Sequence, residues 1–292
     1  MRILITGASG LLGQAIAKLA LEREHEVFSI YKEHPTNIGK AYKMNLTDSQ
    51  GLSELIHELK PEAIVHTAAY TDVDGCELNK ELALKVNAQT TKQLAVASND
   101  VDAHMVYVST DYVFDGEKGF YNEEDTPNPI NYYGCTKLKG EEFVEKYAKS
   151  WCIVRASVIY GWGGSKLNFA TWLIENLKQR KEVKALIDQY VSPTLNTNLA
   201  QMLLEIAERE FSGILHTAGA SKISRYEFAL KFAEVSGLDA NLIKPSNMNE
   251  MKWRARRPKD SSLNVGKALA SLKTKPLKID EALEVMKRES GA

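Results

Sequence analysis

Thr6-Gly7-Ala8-Ser9-Gly10-Leu11-Leu12-Gly13 decides the fold, because it lies between the apolar burst Arg2-Ile3-Leu4-Ile5 and a stretch of helical period. A glycine-rich turn in that position is what a dinucleotide fold requires. Its glycines permit a tight turn and a close approach of backbone to a pyrophosphate, and the helix N-terminus offers unpaired N–H groups and a positive dipole end. Gly7, Ser9, Gly10, Leu11, Leu12 and Gly13 are the first candidates for cofactor contact, with the spacing G-x-x-G-x-x-G in place of G-x-G-x-x-G. A strand-to-helix turn without ligand is the plain alternative, and the context disfavours it.

Outward from this turn, apolar bursts of strand length alternate with helical stretches to about position 157. Strands are expected at Arg2–Thr6, His25–Tyr31, Glu62–Thr67, His104–Ser109 and Trp151–Arg155, and helices at Leu11–Arg23, Asp48–Leu59, Asn79–Asn99 and Asn131–Lys149. This alternation predicts an α/β fold, a doubly wound parallel sheet of Rossmann type. Beyond it the rhythm loosens: a Gly-rich segment at Tyr160–Gly164, helical runs near Phe169–Gln179, Leu199–Glu208 and Tyr226–Ser236, and a polar stretch from Pro245 to Asp260. Short bursts at Lys184–Ile187 and Gly213–His216 are expected to extend the sheet. The division expected is a nucleotide-binding domain of residues 1–157 and 187–217, with a smaller irregular substrate-binding region of 158–186 and 218–292.

The chain has 292 residues, enough for a sizeable core. A formal net charge of -1 supplies no global field toward nucleic acid or an anionic membrane. Three cysteines without a C-x-x-C pair and six histidines without a close pair predict neither a disulfide framework nor a structural metal site. No apolar run reaches the roughly 18 residues of a membrane span and no signal-peptide h-region opens the chain, so a cytoplasmic protein is expected.

Two further stretches carry chemistry. In Tyr133-Gly134-Cys135-Thr136-Lys137 the four-residue spacing brings Tyr133 and Lys137 to one helix face, where an ammonium is expected to lower the phenol pKa and make Tyr133 a usable proton donor. Such a pair alone is more often a solvated surface feature. Val106-Tyr107-Val108-Ser109-Thr110-Asp111 ends a sheet strand in two hydroxyls and a carboxylate, at the edge where open α/β sheets bind ligands.

Taken together, the chain resembles the dTDP-4-dehydrorhamnose reductase family, in the extended short-chain dehydrogenase/reductase superfamily, over nearly its whole length. The resemblance rests on Thr6–Gly13, Ala68-Ala69-Tyr70-Thr71-Asp72-Val73-Asp74, Val86-Asn87-Ala88, Ser109-Thr110-Asp111-Tyr112-Val113-Phe114 and Asn131–Lys137. It continues in Asp188-Gln189, Ser192-Pro193-Thr194 and Arg256-Arg257-Pro258 with Ser261 and Leu263. It implies hydride transfer from a nicotinamide to the C4 keto group of a nucleotide-linked 4-keto-6-deoxy sugar, as in dTDP-rhamnose biosynthesis. It implies that Tyr133 protonates the alkoxide, Lys137 binds the nicotinamide ribose and tunes the tyrosine, and Thr110 hydrogen-bonds the reacting oxygen. It places Ala68, Ala69, Tyr70, Asn87, Asn45 and Leu46 along the cofactor, and Asp111, Tyr112, Val158, Gln189 and Arg257 along the substrate, with Asp111 equally suited to cap or brace its loop. Dehydratase chemistry is disfavoured, because Tyr112 follows Asp111 where such relatives commonly carry a glutamate.

Two departures from the family pattern stand out. Val158 replaces a tryptophan that packs by the sugar, with Trp162 as a candidate substitute, and Asn45 replaces an acid facing adenine. The basic cluster Lys252, Arg254, Arg256, Arg257 and Lys259 suits a diphosphate, Arg257 above all, or else a solvated loop. The second strand ends Ser29-Ile30-Tyr31-Lys32 without the carboxylate that selects NAD, so NADP(H) is expected to be preferred over NAD(H), with Tyr31 or Ser29 offering a hydroxyl and Lys32 a charge. The partner implied is a nucleotide sugar, with neither nucleic acid nor membrane and with a homodimer compatible. The rival reading is a non-catalytic nucleotide-binding subunit resembling the regulatory subunit of methionine adenosyltransferase; a third is an epimerase with tightly held NAD.

Overall fold

In the computed structural model, which describes residues 1–290, Ile3, Leu4, Ile5 and Thr6 are buried on both faces, as a central parallel strand demands. The strands up to the first crossing of the sheet are β1 (Arg2–Thr6), β2 (Glu26–Tyr31), β3 (Lys40–Lys43), β4 (Ala63–His66), β5 (His104–Thr110) and β6 (Trp151–Ala156). The later ones are β7 (Ile159–Tyr160), β8 (Val183–Leu186), β9 (Tyr190–Val191), β10 (Thr194–Leu195), β11 (Gly213–His216), β12 (Ile223–Ser224) and β13 (Ile243–Ser246). Seven of them form one parallel sheet in the order β11-β6-β5-β4-β1-β2-β3, so the strand order reverses between β1 and β4. In open α/β sheets that reversal opens the ligand crevice.

The helices are α1 (Leu11–Glu22), α2 (Ser49–Leu59), α3 (Val73–Leu78), α4 (Lys80–Leu84), α5 (Thr90–Asp100), α6 (Tyr132–Tyr147), α7 (Phe169–Lys178), α8 (Asn196–Glu208), α9 (Arg225–Val235), α10 (Gly266–Ser271) and α11 (Ile279–Glu289). Leu12, Ile16, Ala17 and Ala20 of α1 join Leu199, Leu203 and Ile206 of α8 over one sheet face; Leu52 and Ile56 of α2 join Leu94 and Val144 over the other. Each such fully buried aliphatic side chain contributes about 1.5–3 kcal/mol. Asp48 caps α2 as its sequence position predicts, accepting from the Gly51 amide at 3.1 Å. A separate cluster holds Tyr160, Leu173, Val183, Phe228, Ile243 and Leu283.

Two expectations are corrected. Lys184–Ile187 does not extend the main sheet: β8 pairs with β13, whose register sets Lys184 opposite Lys244. Gly213–His216 does join, beside β6. The helix expected over Asn79–Asn99 is broken by a π-turn at Lys85–Gln89, whose wider pitch re-aims Asn87. No helix among the described residues is long and apolar enough to cross a membrane.

Candidate active site

The ends of β1 and β4 are tied together beneath the glycine turn. His66 bridges Thr6 Oγ1 (2.7 Å) and Thr91 Oγ1 (3.1 Å), and burial pushes its imidazole down to about 3, so it stays neutral. Gly7 has φ +69°, and a Cβ there would stand 2.9 Å from the Ala68 backbone, so only glycine serves. Helix α1 then starts at Gly10 without a side-chain cap and without an acid in its first turn. First-turn N–H groups free of a side-chain acceptor suit a pyrophosphate, and the turn therefore fits a dinucleotide. The segment after β7 is pinned across it: Gly164 donates to Gln14 Oε1 (3.1 Å), and Asn196 Nδ2 donates to Leu11 O (3.3 Å) and Trp162 O (3.0 Å).

At the far end of this groove β2 delivers Tyr31 and exposed Lys32, whose ammonium pairs with Glu33 at 3.0 Å. Ser29 is not available there, because its buried hydroxyl donates to Ile38 O at 2.6 Å. The Asn45 amide oxygen already accepts the Thr47 amide (3.2 Å) and hydroxyl (3.1 Å), and Leu46 O accepts Thr90 Oγ1 (3.3 Å). Lys166, from the segment after β7, was not read from the sequence; with Lys32 and His34 it adds to the positive field that holds Glu33 below its ordinary value, the Lys32 hydrogen bond acting most.

Asn87 acts within the protein. Its Oδ1 accepts the Tyr70 amide (2.7 Å), while Nδ2 donates to Tyr70 O (3.1 Å) and Thr136 Oγ1 (3.0 Å), fastening the Ala68-Ala69-Tyr70 segment to α6. Asn131 caps α6 through the Gly134 amide at 2.8 Å, and a Cβ on Gly134 would stand 2.1 Å from Tyr112 O, so α6 approaches the end of β5 closely. That approach sets Tyr133 beside Thr110.

Burial raises the Tyr133 phenol above its ordinary value; the Thr110 hydroxyl pulls it down and Asp111 pushes it up. The expected lowering by Lys137 is corrected, because the Lys137 ammonium is bound elsewhere: Nζ donates to Val108 O at 2.8 Å and stands 4.1 Å from the centre of the Tyr107 ring. Burial lowers Lys137 to about 7 against the field of Glu141.

Thr110 Oγ1 accepts the Tyr112 amide (3.1 Å) and donates to Asp111 Oδ1 (3.1 Å). Asp111 is 3% exposed, and its carboxylate also accepts Ser157 Oγ (2.8 Å) and Ser261 Oγ (2.5 Å). Of the two roles open to Asp111, contact with ligand and bracing of the loop, these bonds fit the second: Asp111 braces the ends of β5 and β6 against the C-terminal segment. Ser157 and Ser261 are the braces' other halves, and the two chemistries met only in the folded chain.

On the substrate side the Tyr112 ring meets the Tyr133 ring edge-on with centroids 6.0 Å apart. Gln189 Oε1 accepts Arg225 Nε at 3.4 Å. Val158 adopts φ +41°, a left-handed conformation rare for a β-branched residue, and its carbonyl accepts the Thr194 amide at 3.1 Å. Trp162 does not replace the family tryptophan here: its indole N–H donates to Met286 O at 2.7 Å, which ties it to α11. Arg257, expected at a diphosphate, is held by Asp74 at 2.8 Å and stacks 5.0 Å from the Trp253 ring. Against burial, which would raise it, Arg257 and the backbone amides of Ala255 and Arg254 hold Asp74 below its ordinary value.

The family model described as the RmlD substrate binding domain matches residues 1–290. The chain is 37% identical over 270 residues to a probable low-salt glycan biosynthesis reductase, Agl14, of Haloferax volcanii, covering 91% of this chain and 90% of that one. It is 31% identical over 279 residues to methionine adenosyltransferase 2 subunit beta of Rattus norvegicus, covering 91% and 81%. The structure of a hypothetical dTDP-4-dehydrorhamnose reductase from Sulfolobus tokodaii matches with TM-score 0.87 at 42% identity, covering 96% of this chain and 98% of that one. That of the dTDP-4-dehydrorhamnose reductase from Bacillus anthracis in complex with NADP matches with TM-score 0.90 at 32% identity, covering 99% of each.

Proposed function

The chain belongs to the dTDP-4-dehydrorhamnose reductase family, and from that premise we propose that it reduces the C4 keto group of a nucleotide-linked 4-keto-6-deoxy sugar with NADPH. What supports this reading most is the setting of Tyr133 beside Thr110 at the carboxyl end of β5, with the Lys137 ammonium on Val108 O of the same strand, one strand from the β1/β4 reversal. NADPH bound along Gly7–Gly13 supplies the hydride, with Lys32 and Lys166 toward its 2′-phosphate.

The chain's own groups then handle the oxygen. As hydride reaches C4, negative charge grows on the carbonyl oxygen, and donors set around it favour the transition state over the ground state. Tyr133 gives that oxygen its proton, and because burial keeps the phenol protonated through the ordinary pH range the donor is always loaded. Thr110 supplies the second hydrogen bond by turning its single hydroxyl proton from Asp111 to the substrate oxygen, while the Tyr112 amide still holds Oγ1 in place. Lys137 takes up the cofactor ribose by turning its ammonium away from Val108 O.

The likeness to methionine adenosyltransferase 2 subunit beta supports a second reading, a nucleotide-binding regulatory subunit. One experiment separates them: loss of reduced-nicotinamide absorbance when a panel of nucleotide 4-keto sugars is added. Turnover with one sugar supports the reductase, and binding of NADPH without turnover on any member supports the subunit.

A further inference from the structure

Arg225 is carried into the substrate side by pairing that the linear sequence conceals. β12 runs antiparallel to β9 with Ser224 opposite Tyr190, and Ser224 opens α9 by a capping box with Glu227. Arg225 therefore lies against Gln189: its amide donates to Gln189 O (3.2 Å) and its Nε to Gln189 Oε1 (3.4 Å), while the guanidinium stacks 5.2 Å from the Phe169 ring centre. Toward the site it faces the Tyr112 hydroxyl, and burial holds it below its ordinary value against the fields of Tyr112 and Asp111.

Its partners are a neutral amide and a phenol. No carboxylate stands within 4.0 Å of it among the described residues, and the nearby Asp111 is occupied by three hydroxyls. Half-buried Arg225 differs in this from buried Arg155, which makes a forked contact with Glu141 as close as 2.6 Å, and from half-buried Arg257, which has Asp74 at 2.8 Å. A guanidinium cannot shed its proton, so placing it in a sheltered site without an anion is costly unless an anion arrives. Its Nη groups also remain in the fork geometry that fits a phosphate or carboxylate.

We propose that Arg225 receives an anionic oxygen group of the substrate, and that it, in place of Arg257, reads the substrate's charge. This rests on the reading that the cleft takes a nucleotide-linked sugar. Phe169 fixes the guanidinium plane, Gln189 its Nε edge, and Tyr112 links it to Tyr133 one ring away. The anion is either the diphosphate or a carboxylate on the sugar, and the same fork accepts both.

The test is calorimetric titration of the wild type, Arg225→Gln and Arg225→Lys, each saturated with NADP, using dTDP, UDP, GDP, thymidine, UDP-glucose and UDP-glucuronate. The expected result is a loss of about tenfold or more in Arg225→Gln for an anionic ligand, partial retention in Arg225→Lys, and no change for thymidine. If the diphosphate is the anion, nucleoside diphosphates carry the loss; if a sugar carboxylate is, they stay within about twofold and UDP-glucuronate alone carries it. Wild-type affinity for all ligands in Arg225→Gln, or no anion binding by the wild type, overturns the proposal. A charge-dependent loss in a protein that reduces no 4-keto sugar keeps it and sinks the reductase reading. Turnover with an unchanged KM in Arg225→Gln does the reverse. Arg225→Lys keeps the test open if the glutamine variant fails to fold.

Discussion

Thr110 Oγ1 donates a hydrogen bond of 3.1 Å to the carboxylate of Asp111, so its one hydroxyl proton is already engaged. Asp111 in turn is enclosed by Ser157 and Ser261. In the proposed reduction this bond is the rest position from which the hydroxyl turns when a carbonyl oxygen arrives.

Thr110→Val keeps the shape and removes that proton. Its kcat is expected to fall by about tenfold to a thousandfold, the range for loss of one oxyanion donor, with NADPH affinity unchanged. Stopped-flow reduction at saturating NADPH checks it; an unchanged rate takes Thr110 out of the chemistry.

Lys137, lowered to about 7, is cationic below that pH and neutral above it. If the ammonium takes up the cofactor, kcat/KM for NADPH, which reports the free enzyme, declines about tenfold per pH unit above 7 and levels off below. A flat profile from pH 6 to about 9 contradicts this. Lys137→Met should lose both cofactor affinity and rate while Tm stays at or above the wild-type value, since a disfavoured buried charge is removed.

Cofactor choice rests on exposed charges. Lys32 shares its ammonium with Glu33 at 3.0 Å, so its contact with a 2′-phosphate is worth at most on the order of 1 kcal/mol, less than the 1.4 kcal/mol of a tenfold preference. The ratio of kcat/KM for NADPH over NADH should be modestly above one, fall in Lys32→Ala and fall further when Lys166→Ala is added. A wild-type ratio at or below one, or one unmoved by both substitutions, removes these lysines from the cofactor site.

The doubly wound sheet was legible because β1, β2, β4, β5 and β6 are apolar and glycine follows the first of them. β3 was not: Lys40-Ala41-Tyr42-Lys43 is an exposed edge strand without an apolar run. Helix α11 carries its own signal, with Ile279, Ala282, Leu283 and Met286 at helical spacing, and α9 has its Ser224…Glu227 capping box, but neither belongs to the strand-helix alternation that marks the first half of the chain. Thr110, Tyr133 and Lys137 were legible as residue types at the right spacing. The direction of the Lys137 ammonium, the enclosure of Asp111, the neutralisation of Arg257 by Asp74 and the place of Arg225 all depend on partners 29 to 183 residues away, which local pattern does not reach.

Val158 carries strain at a left-handed backbone position. A side chain in the left-handed region costs about 1–2 kcal/mol, and glycine in its place loses about 1 kcal/mol of entropy, so Val158→Gly should unfold within about 1 kcal/mol of the wild type. Denaturant titration measures it, and a loss above about 2 kcal/mol denies the strain.

The central claim is that Tyr133 gives the proton to a keto oxygen reduced by NADPH. Single-turnover reduction of a nucleotide-linked 4-keto-6-deoxy sugar by Tyr133→Phe, with NADPH affinity measured on the same sample, tests it most directly. The account expects the rate to fall at least about tenfold with affinity nearly unchanged, because the ring stays and only the donor goes. Turnover close to that of the wild type contradicts it.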